Sequence, residues 1–400
     1  MRLRNALVIA EIATSLVLLA GAGLMLESLR ALLHRPAGFE LEHVLTFAVN
    51  LPNADYPSDP QYPNNSESAI RFEHVFTEKL GSLPGVESVG MASGLPANGG
   101  NGTIRFVVEG QPVRTGQEDE CDILEINTHY FPALKIPLIT GRGFTAHDNL
   151  QAAPVAIINQ AFAKSYLRGE NPIGKRLRFT FDAREPYREV VGVVGDTAQD
   201  DLAATPPPII YMPNEQNSST FLSYVVRTRG NPSAFIGTAR AALREMDPRL
   251  PLIQPKTLEQ IANESPSVFL RRYPSYLIGG FAVLALTLAI VGLYGLISYG
   301  VAMRTREIGI RVTLGAQPDD VLRLVLREGF VMALAGTVAG VIAGQALTRL
   351  LSSVLFAVHP GDWKTFLCVS LLMLTVAMGA SWLPARRAMR VDPAIALRQN

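Results

Sequence analysis

The sequence predicts an α-helical membrane protein with four transmembrane helices and a large α+β domain inserted between the first and the second helix. Four apolar runs each approach the roughly 20 residues that a membrane-spanning helix needs. Between the first two runs lie about 230 residues in which β-branched and aromatic stretches alternate with helical patterns. The predicted boundaries are 1–30 for the first helix, 40–272 for the inserted domain and 273–400 for the C-terminal membrane region. The other three transmembrane helices are predicted in that region at about 275–298, 329–351 and 364–384.

The composition excludes several classes of function. The formal net charge is +1, so the strongly basic character of nucleic-acid-binding domains is absent and no nucleic-acid partner is expected. The two cysteines, Cys121 and Cys368, lie far apart, and Cys368 falls inside an apolar run, so no disulfide is expected. No Cys/His cluster has zinc-binding spacing, and no metal site is expected.

One acidic residue, Glu11, lies inside the first apolar run. A charge at membrane depth is costly. Glu11 is therefore expected either to extend to the membrane surface or to pair with an arginine between the second and third runs. The fourth run is bounded by the two tryptophans of the chain, Trp363 and Trp382, and tryptophan favours the membrane–water boundary.

Basic residues set the predicted orientation. Eleven flank the side of the membrane that carries the N-terminus, and five flank the other side. An excess of Lys and Arg marks the cytoplasmic side, so both termini are expected in the cytoplasm and the inserted domain outside it. The eleven are Arg2, Arg4, Arg304, Arg306, Arg311, Arg323, Arg327, Arg386, Arg387, Arg390 and Arg398, and the five are Arg30, Arg35, Arg271, Arg272 and Lys364.

The first apolar run has an alternative interpretation as a cleaved signal peptide. Arg2 and Arg4 would supply its basic start, and the Ala-Gly-Ala sequence at 20–22 resembles a cleavage site. The apolar region is longer than that of a typical signal peptide, however, and it contains Glu11. These features favour a retained membrane anchor.

The inserted domain is predicted to alternate between strands and helices, with residues about 127–205 forming an inserted lobe. Pro84-Gly85 ends the first predicted helix, and the three prolines at 206–208 form a stiff connector. Strands are predicted at 44–49, 86–92, 104–108, 123–126, 155–158, 178–181, 190–194 and 221–227, and helices at 69–83, 161–166, 233–246 and 258–264, with a short helix and turn within 126–144.

No set of residues indicates catalysis. The sequence GENPIGKR at 169–176 nearly matches a phosphate-binding loop, but Arg176 replaces the hydroxyl that holds magnesium and Pro172 removes a backbone N–H. This segment also follows a predicted helix and opens a strand, which is the reverse of the required order. The carboxylates at 119–122 and 196–201 are predicted to lie in solvated polar loops. We therefore expect a chain that is not an enzyme and that holds no cofactor.

The polar segment 304–327, between the second and third apolar runs, is the candidate functional site. Gln317-Pro318-Asp319-Asp320 is a good helix start, because proline suits the first helical position and acids favour the positive end of the helix dipole. The residues that follow have an apolar side. On physical grounds they predict either an interfacial helix with arginines facing lipid headgroups or a helix that docks a protein.

Three glycines recur every four residues in the third apolar run, at Gly336, Gly340 and Gly344. Small residues at this spacing let helix backbones approach closely in a membrane. The pattern predicts a helix-packing face. It leaves open whether that face packs within one chain or against a second chain.

The polar segment resembles a known signature. Arg306-Glu307-Ile308-Gly309-Ile310-Arg311, followed by Leu314-Gly315-Ala316 and Asp320-Val321, is similar to the REIGIR…LGA…DV pattern of the MacB/FtsX family of ABC transporter permeases. The C-terminal residues Pro384 to Ala388, Val391 to Pro393 and Ala396 to Arg398 resemble that family's PARRA…DP…ALR ending. Residues 127–144 and 171–176 are similar to its periplasmic domain. Thr313 and Gln317-Pro318 depart from the common pattern.

The resemblance implies a permease of the bacterial inner membrane with a periplasmic domain after its first helix. It implies a dimer with a second permease chain or half, a separate cytoplasmic ABC ATPase that uses the ATP, and a periplasmic adaptor or membrane-fusion protein. The short N-terminus resembles one half of a duplicated permease. The ATPase-coupling residues would be Arg306, Glu307, Ile308, Gly309, Arg311, Leu314, Gly315, Ala316 and Asp320.

Two functions from different classes follow. The first is a permease subunit that couples ATP hydrolysis on another chain to export or to mechanical transmission into the periplasm. The alternative is a membrane signalling or scaffold protein that regulates a periplasmic partner without moving cargo. Stimulation of ATP hydrolysis by cargo distinguishes the two.

Overall fold

A computed structural model of the chain describes residues 2–59, 65–99, 101–111, 118–182, 184–304, 317–350 and 362–388. The chain divides into two compact units. The helical unit comprises Met1–His34 and Phe269–Asn400, and the inserted domain comprises Arg35–Val268.

Helices and strands interleave through the inserted domain, whereas the elements described in the helical unit are all α-helices. The helices are α1 (Arg2–Leu33), α2 (Glu67–Gly81), α3 (Tyr130–Leu134), α4 (Gln160–Tyr166), α5 (Ile236–Met246), α6 (Leu258–Glu264), α7 (Pro266–Met303), α8 (Pro318–Leu350) and α9 (Trp363–Ala388). The strands are β1 (Val44–Asn50), β2 (Val86–Ala92), β3 (Gly102–Val108), β4 (Asp119–Ile126), β5 (Leu138–Gly141), β6 (Val155–Asn159), β7 (Arg176–Phe179), β8 (Arg188–Val194), β9 (Ile209–Pro213), β10 (Phe221–Thr228) and β11 (Ile253–Thr257).

In the described part of the chain, four helices are long and apolar enough to cross a membrane. They are α1, α7, α8 and α9, with candidate spans of 30, 38, 26 and 24 residues. The inserted domain lies between the first and the second of them in sequence, so the predicted fold class is confirmed. The third helix begins earlier than the apolar run at 329–351, because the polar residues from Pro318 onward continue into it without a break.

The helical unit packs around one face of α1. Val8, Ile12, Leu16, Ala20 and Leu24 recur every four residues, and each is at most 2% exposed. This spacing puts them on one side of the helix. Large apolar side chains on α7, such as those of residues 277, 284 and 288, are instead more than 60% exposed. Such exposure is expected of helix faces in contact with lipid.

The first hydrophobic core of the inserted domain lies under four antiparallel strands ordered β11-β1-β10-β2, which form one end of an 11-stranded sheet that continues from β2 to β4. Helices α2 and α5 contribute buried residues to this core. Phe47 of β1 stacks on Tyr224 of β10 with ring centroids 5.5 Å apart, and Phe76 of α2 meets Tyr224 edge-on at 5.0 Å. Strand β1, predicted at 44–49 from its β-branched and aromatic residues, is buried along that whole length.

A second core lies within a closed ring of strands. The order is β4-β3-β7-β8-β6-β9, and β9 also pairs in parallel with β4, which closes the ring. Phe106, Phe162 and Phe179 fill it. Its buried residues extend from Phe106 to Met212, so this core is wider at both ends than the predicted lobe at 127–205.

Two polar segments of the inserted domain have structural roles. The segment 169–176 joins α4 to β7, the order predicted for a turn, and Lys175 in it forms an ion pair with Glu170. The expectation of a polar loop at 119–122 is wrong, because these residues belong to β4, where Glu120 pairs across the sheet with Arg105 at 2.7 Å.

Candidate functional site

Most of the predicted coupling residues lie outside the described part of the chain. The structure describes the residues on either side of 305–316, namely Arg304 after α7 and Gln317 before α8, together with Asp320. Residues 306, 307, 308, 309, 311, 314, 315 and 316 of the coupling set lie in the segment that it does not describe. The site is therefore built from the helix ends that flank this segment.

The start of α8 is capped locally. The helix begins at Pro318, as its sequence predicted, and both acidic residues of the predicted start lie in its first turn. The Asp320 carboxylate accepts a hydrogen bond from the backbone N–H of Gln317 at 3.1 Å. A carboxylate here satisfies one backbone donor and lies at the positive end of the helix dipole.

The end of α7 is joined to α8 by an ion pair. The Arg304 guanidinium donates to the Glu328 carboxylate across 24 positions of sequence. Both side chains are partly exposed, so the pair contributes only about 0.2–1 kcal/mol. The pair matters mainly for geometry, because it links the end of α7 to α8, the two helices that flank the segment between Arg304 and Gln317.

Gly329 brings three helices together. A Cβ atom at this position of α8 would lie 2.4 Å from Ser381 Oγ of α9 and 3.1 Å from Ile297 Cδ1 of α7. Both distances are shorter than ordinary van der Waals contact. Glycine at this position leaves the space that the Ser381 and Ile297 side chains occupy.

Arg4 joins the start of α1 to the end of α7. Its guanidinium carbon lies 4.2 Å from the centre of the Tyr299 ring, within cation–π range. At the end of α9, Arg386 lies over the Trp382 ring at 5.3 Å. The starts of α1 and α8 and the ends of α7 and α9 therefore meet at one end of the helical unit. We call this the basic end, defined by Arg4, Arg304, Arg327 and Arg386.

A cavity of about 440 Å³ opens at the basic end. Among the described residues, Arg4, Arg304 and Arg327 line it together with one carboxylate, Glu328. Because Glu328 is already paired with Arg304, the cavity carries excess positive charge. Its walls come from α1, α7 and α8, so a group bound there would contact all three.

The three glycines predicted to form a helix-packing face contact other helices of the same chain. A Cβ at Gly336 would lie 2.7 Å from Ile12 Cβ, and one at Gly340 would lie 3.0 Å from the Ala13 carbonyl oxygen. One at Gly344 would lie 2.8 Å from the Phe366 ring. In this chain, the face packs mainly against α1.

Glu11 lies where α7 comes close to α1. A Cβ at Gly292 would lie 2.4 Å from Glu11 Oε2, so glycine leaves the space that the carboxylate occupies. This oxygen is buried and has no hydrogen-bond partner among the described residues. Pairing of Glu11 with Arg306 or Arg311 falls outside the described residues.

The contacts that build the basic end were not predicted from sequence. They join residues far apart in the chain, such as Arg4 with Tyr299 and Gly329 with Ser381. The only local signals were the opposite charges of Arg304 and Glu328 and the position of a glycine directly after the polar segment. Neither signal specifies a partner.

Comparison with protein families matches two regions of the chain. Residues 15–245 match the MacB-like periplasmic core domain, and residues 279–393 match the FtsX-like permease C-terminal domain. The first match covers more than half of the 400 residues. The second contains residues 305–316 and three of the four arginines of the basic end, Arg304, Arg327 and Arg386.

Curated relatives agree with this assignment. The macrolide export ATP-binding/permease protein MacB of Marinobacter nauticus is 27% identical over 315 residues, which are 72% of this chain and 45% of the relative. The pyoverdine export ATP-binding/permease protein PvdT of Pseudomonas savastanoi is 29% identical over 337 residues, 80% of this chain and 47% of the relative. The chain thus spans about half the length of these relatives.

A further relative is closer to this chain in length. The uncharacterized ABC transporter permease YknZ of Bacillus subtilis is 26% identical over 349 residues, 86% of this chain and 83% of the relative. Among solved structures, the periplasmic region of MacB from Actinobacillus actinomycetemcomitans matches 58% of this chain and 95% of its own length, with 17% identity and a TM-score of 0.38. The chain belongs to the MacB/FtsX family and is a permease component of an ABC transporter.

Proposed function

We propose that this chain couples ATP hydrolysis by a separate cytoplasmic ABC ATPase to export from the cytoplasmic membrane. The ATPase docks on the segment 304–327, with Arg306, Glu307 and Arg311 at the centre of the contact. The observation that carries the proposal is the convergence of four helix ends at the basic end, which includes Arg304 and Arg327 of this segment. The remaining docking residues are Ile308, Gly309, Leu314, Gly315, Ala316 and Asp320.

The contacts at the basic end explain how a force applied to the segment would spread. Arg304 and Gln317 adjoin α7 and α8, so a movement of the segment pulls on both helices. The Arg304–Glu328 pair and the close approach at Gly329 add α9 to the same group. Helix α7 extends from Pro266 to Met303 as one helix with Pro274 inside it. It therefore provides a continuous backbone path along which a movement can travel.

The proposed orientation places both termini and the basic end in the cytoplasm and the inserted domain in the periplasm of a bacterial inner-membrane protein. The excess of arginine on one side of the spans supports it. The name of the matching family, the MacB-like periplasmic core domain, also supports it.

The partners proposed are the ABC ATPase, a second permease chain or half, and a periplasmic adaptor or membrane-fusion protein. The two export relatives named above are described as ATP-binding/permease proteins, which supports an ATPase partner for this permease. Their names refer to macrolide and pyoverdine export, which supports export as the output of the cycle. ATP hydrolysis by the reconstituted complex in liposomes should then rise when cargo is added.

The docking site is tested by replacing Glu307 and Arg311 together with alanine. The double variant should no longer co-purify with the ATPase from bacterial membranes, because both charges are lost from the proposed contact. Circular dichroism and thermal unfolding of the purified chain should remain like those of the wild type.

A matched control removes the same two charges from the inserted domain. Arg240 and Glu259 are exposed residues of α5 and α6, and the Arg240→Ala, Glu259→Ala variant should bind the ATPase normally. Full-strength binding by the Glu307, Arg311 double variant would show that the segment is not the dock. If ATP hydrolysis rises only when a periplasmic protein is added, and never with cargo, then the function is mechanical transmission into the periplasm and not export.

A further inference from the structure

The inserted domain contains a cleft with a volume of about 630 Å³. Side chains from α2, β2 and the end of β4 line it, together with the loop after β5 and the loop after β9. The volume lies within the range of about 300–1,000 Å³ that is typical of small-molecule sites.

The charge of the cleft is strongly one-sided. Its lining includes five carboxylates and no lysine or arginine among the described residues. Asp148 is neutralised by two hydrogen bonds from Arg142, at 2.7 and 2.8 Å. The other four carboxylates belong to Glu73, Glu78, Glu87 and Glu215. In the described part of the chain, Glu87 faces Arg229 at 3.7 Å, and Glu73 and Glu215 face His74.

The most buried of these acids is Glu73, whose side chain is 2% exposed. Its Oε1 accepts hydrogen bonds from Thr77 Oγ1 at 2.8 Å and from Asn127 Nδ2 at 2.9 Å. Its Oε2 lies 3.7 Å from His74 Nε2, which in turn lies 3.0 Å from Glu215 Oε1. Burial raises the pKa of Glu73 above its ordinary value, and a cation in the cleft would stabilise the ionised form.

A buried amide in the same cleft lacks an acceptor. Asn214 is 2% exposed. Its Oδ1 accepts a hydrogen bond from the Ser219 backbone N–H at 3.1 Å, which sets the amide with its nitrogen free to donate. That nitrogen, Nδ2, has no partner in the described part of the chain. Buried polar groups are nearly always hydrogen-bonded in folded proteins, so this donor is suited to an acceptor on a bound ligand.

Apolar side chains complete the lining. Val89 of β2, Phe144 of the loop after β5 and Pro213 at the end of β9 contribute to the same cleft. Ligand sites commonly combine apolar walls with a few convergent polar groups. An organic molecule would pack against these apolar side chains, whereas a bare ion would leave them exposed to water.

We propose that this cleft binds a small organic cation. Its amine or guanidinium group lies against Glu73 and Glu215, a hydrogen-bond acceptor on the ligand faces Asn214 Nδ2, and its apolar body packs on Val89 and Phe144. The proposal goes beyond the coupling function, which assigns no ligand to the inserted domain. It also does not depend on ATPase docking, so either can fail alone.

A matched pair of fluorescent probes tests the site. Dansylcadaverine carries a primary amine, and its N-acetyl derivative is neutral but nearly the same in shape. The full chain in nanodiscs is titrated with each probe, and the signal of empty nanodiscs is subtracted. Dansylcadaverine should bind saturably, and the acetylated probe about tenfold more weakly, because it lacks the charge-assisted hydrogen bond.

Charge-neutralising variants locate the binding. Glu215→Gln and the exposed Glu78→Gln should each weaken dansylcadaverine binding, with Glu215→Gln causing a loss of about tenfold. Glu120→Gln is the control, because Glu120 is an exposed acid on β4 outside the cleft. Equal affinity for the two probes would overturn the proposal. So would the absence of saturable binding, or an unchanged affinity in both cleft variants.

Discussion

The glycine face of α8 gives a prediction whose size follows from the structure. In Gly336→Ala the added methyl group would lie 2.7 Å from Ile12 Cβ and Cγ2 and 3.1 Å from the Ile9 carbonyl oxygen. Two of these atoms, Ile12 Cβ and the Ile9 oxygen, are fixed to the α1 backbone, so no rotamer change relieves the clash. Helix α8 must therefore move away from α1.

The magnitude combines two opposing effects. Overpacking a well-packed contact costs about 1–3 kcal/mol, and replacing glycine by alanine inside a helix returns about 0.5–1 kcal/mol. The net loss in the free energy of unfolding lies within roughly 0–2.5 kcal/mol, with a central value of about 1 kcal/mol. Since 1 kcal/mol shifts Tm by roughly 2–4 °C in a unit of this size, a fall of roughly 2–4 °C is expected for the central value.

Thermal unfolding of the purified chain in one detergent measures this effect. Gly379→Ala on α9 is the matched control, because a Cβ there would meet nothing within 4 Å, and its Tm should be unchanged or slightly raised. Gly344→Ala should be milder than Gly336→Ala, because its closest contact is the Phe366 ring, a side chain that can rotate. Equal Tm values for Gly336→Ala and Gly379→Ala would refute the close approach of α8 to α1.

Three further predictions concern acid–base behaviour and orientation. Glu73→Gln keeps an oxygen that accepts both hydrogen bonds but removes the carboxyl group, whose pKa is raised by burial. Because ionised Glu73 destabilises the fold, the Tm of the variant should exceed that of the wild type above about pH 5 and match it below about pH 4. Asp148→Asn should have the opposite effect. Burial opposes ionisation of Asp148, but hydrogen bonds from Arg142 and Thr145 hold its pKa below the ordinary value. The variant should therefore have a lower Tm than the wild type above about pH 4, and the difference should fade at lower pH. In a cysteine-free background, a membrane-impermeant maleimide should label a Ser82→Cys variant in intact spheroplasts but a Thr313→Cys variant only after lysis, and the reverse pattern would contradict the proposed orientation.

Local sequence determined the elements whose signals are carried by neighbouring residues. Long apolar runs specified the four spans, because a membrane helix satisfies its backbone within itself. The acidic start beginning at Pro318 specified where α8 begins. The strands at 86–92 and 155–158 and the helix at 258–264 matched the observed elements closely, since each combines a clear periodicity with flanking turn or capping residues.

Strands that depend on distant partners were not predicted. Strand β9 directly follows the three prolines predicted to form a connector, where no strand was predicted, and it is fully buried because β4 and β6 pair with it. Strand β11 contains Pro255 and lies at the sheet edge beside β1, where proline is tolerated. Strand β5 is a short exposed strand that exists through pairing with β8.

The sequence by itself determined the class of the chain, its spans and the segment proposed to receive the ATPase, because composition, periodicity and a local signature are properties of adjacent residues. Tertiary structure alone decided which residues meet. It brought Arg4 to Tyr299, packed the α8 glycines on α1, and gathered Glu73 and Asn214 around one cleft. The physical reason is that such contacts depend on the packing of whole elements, which no short stretch of sequence encodes.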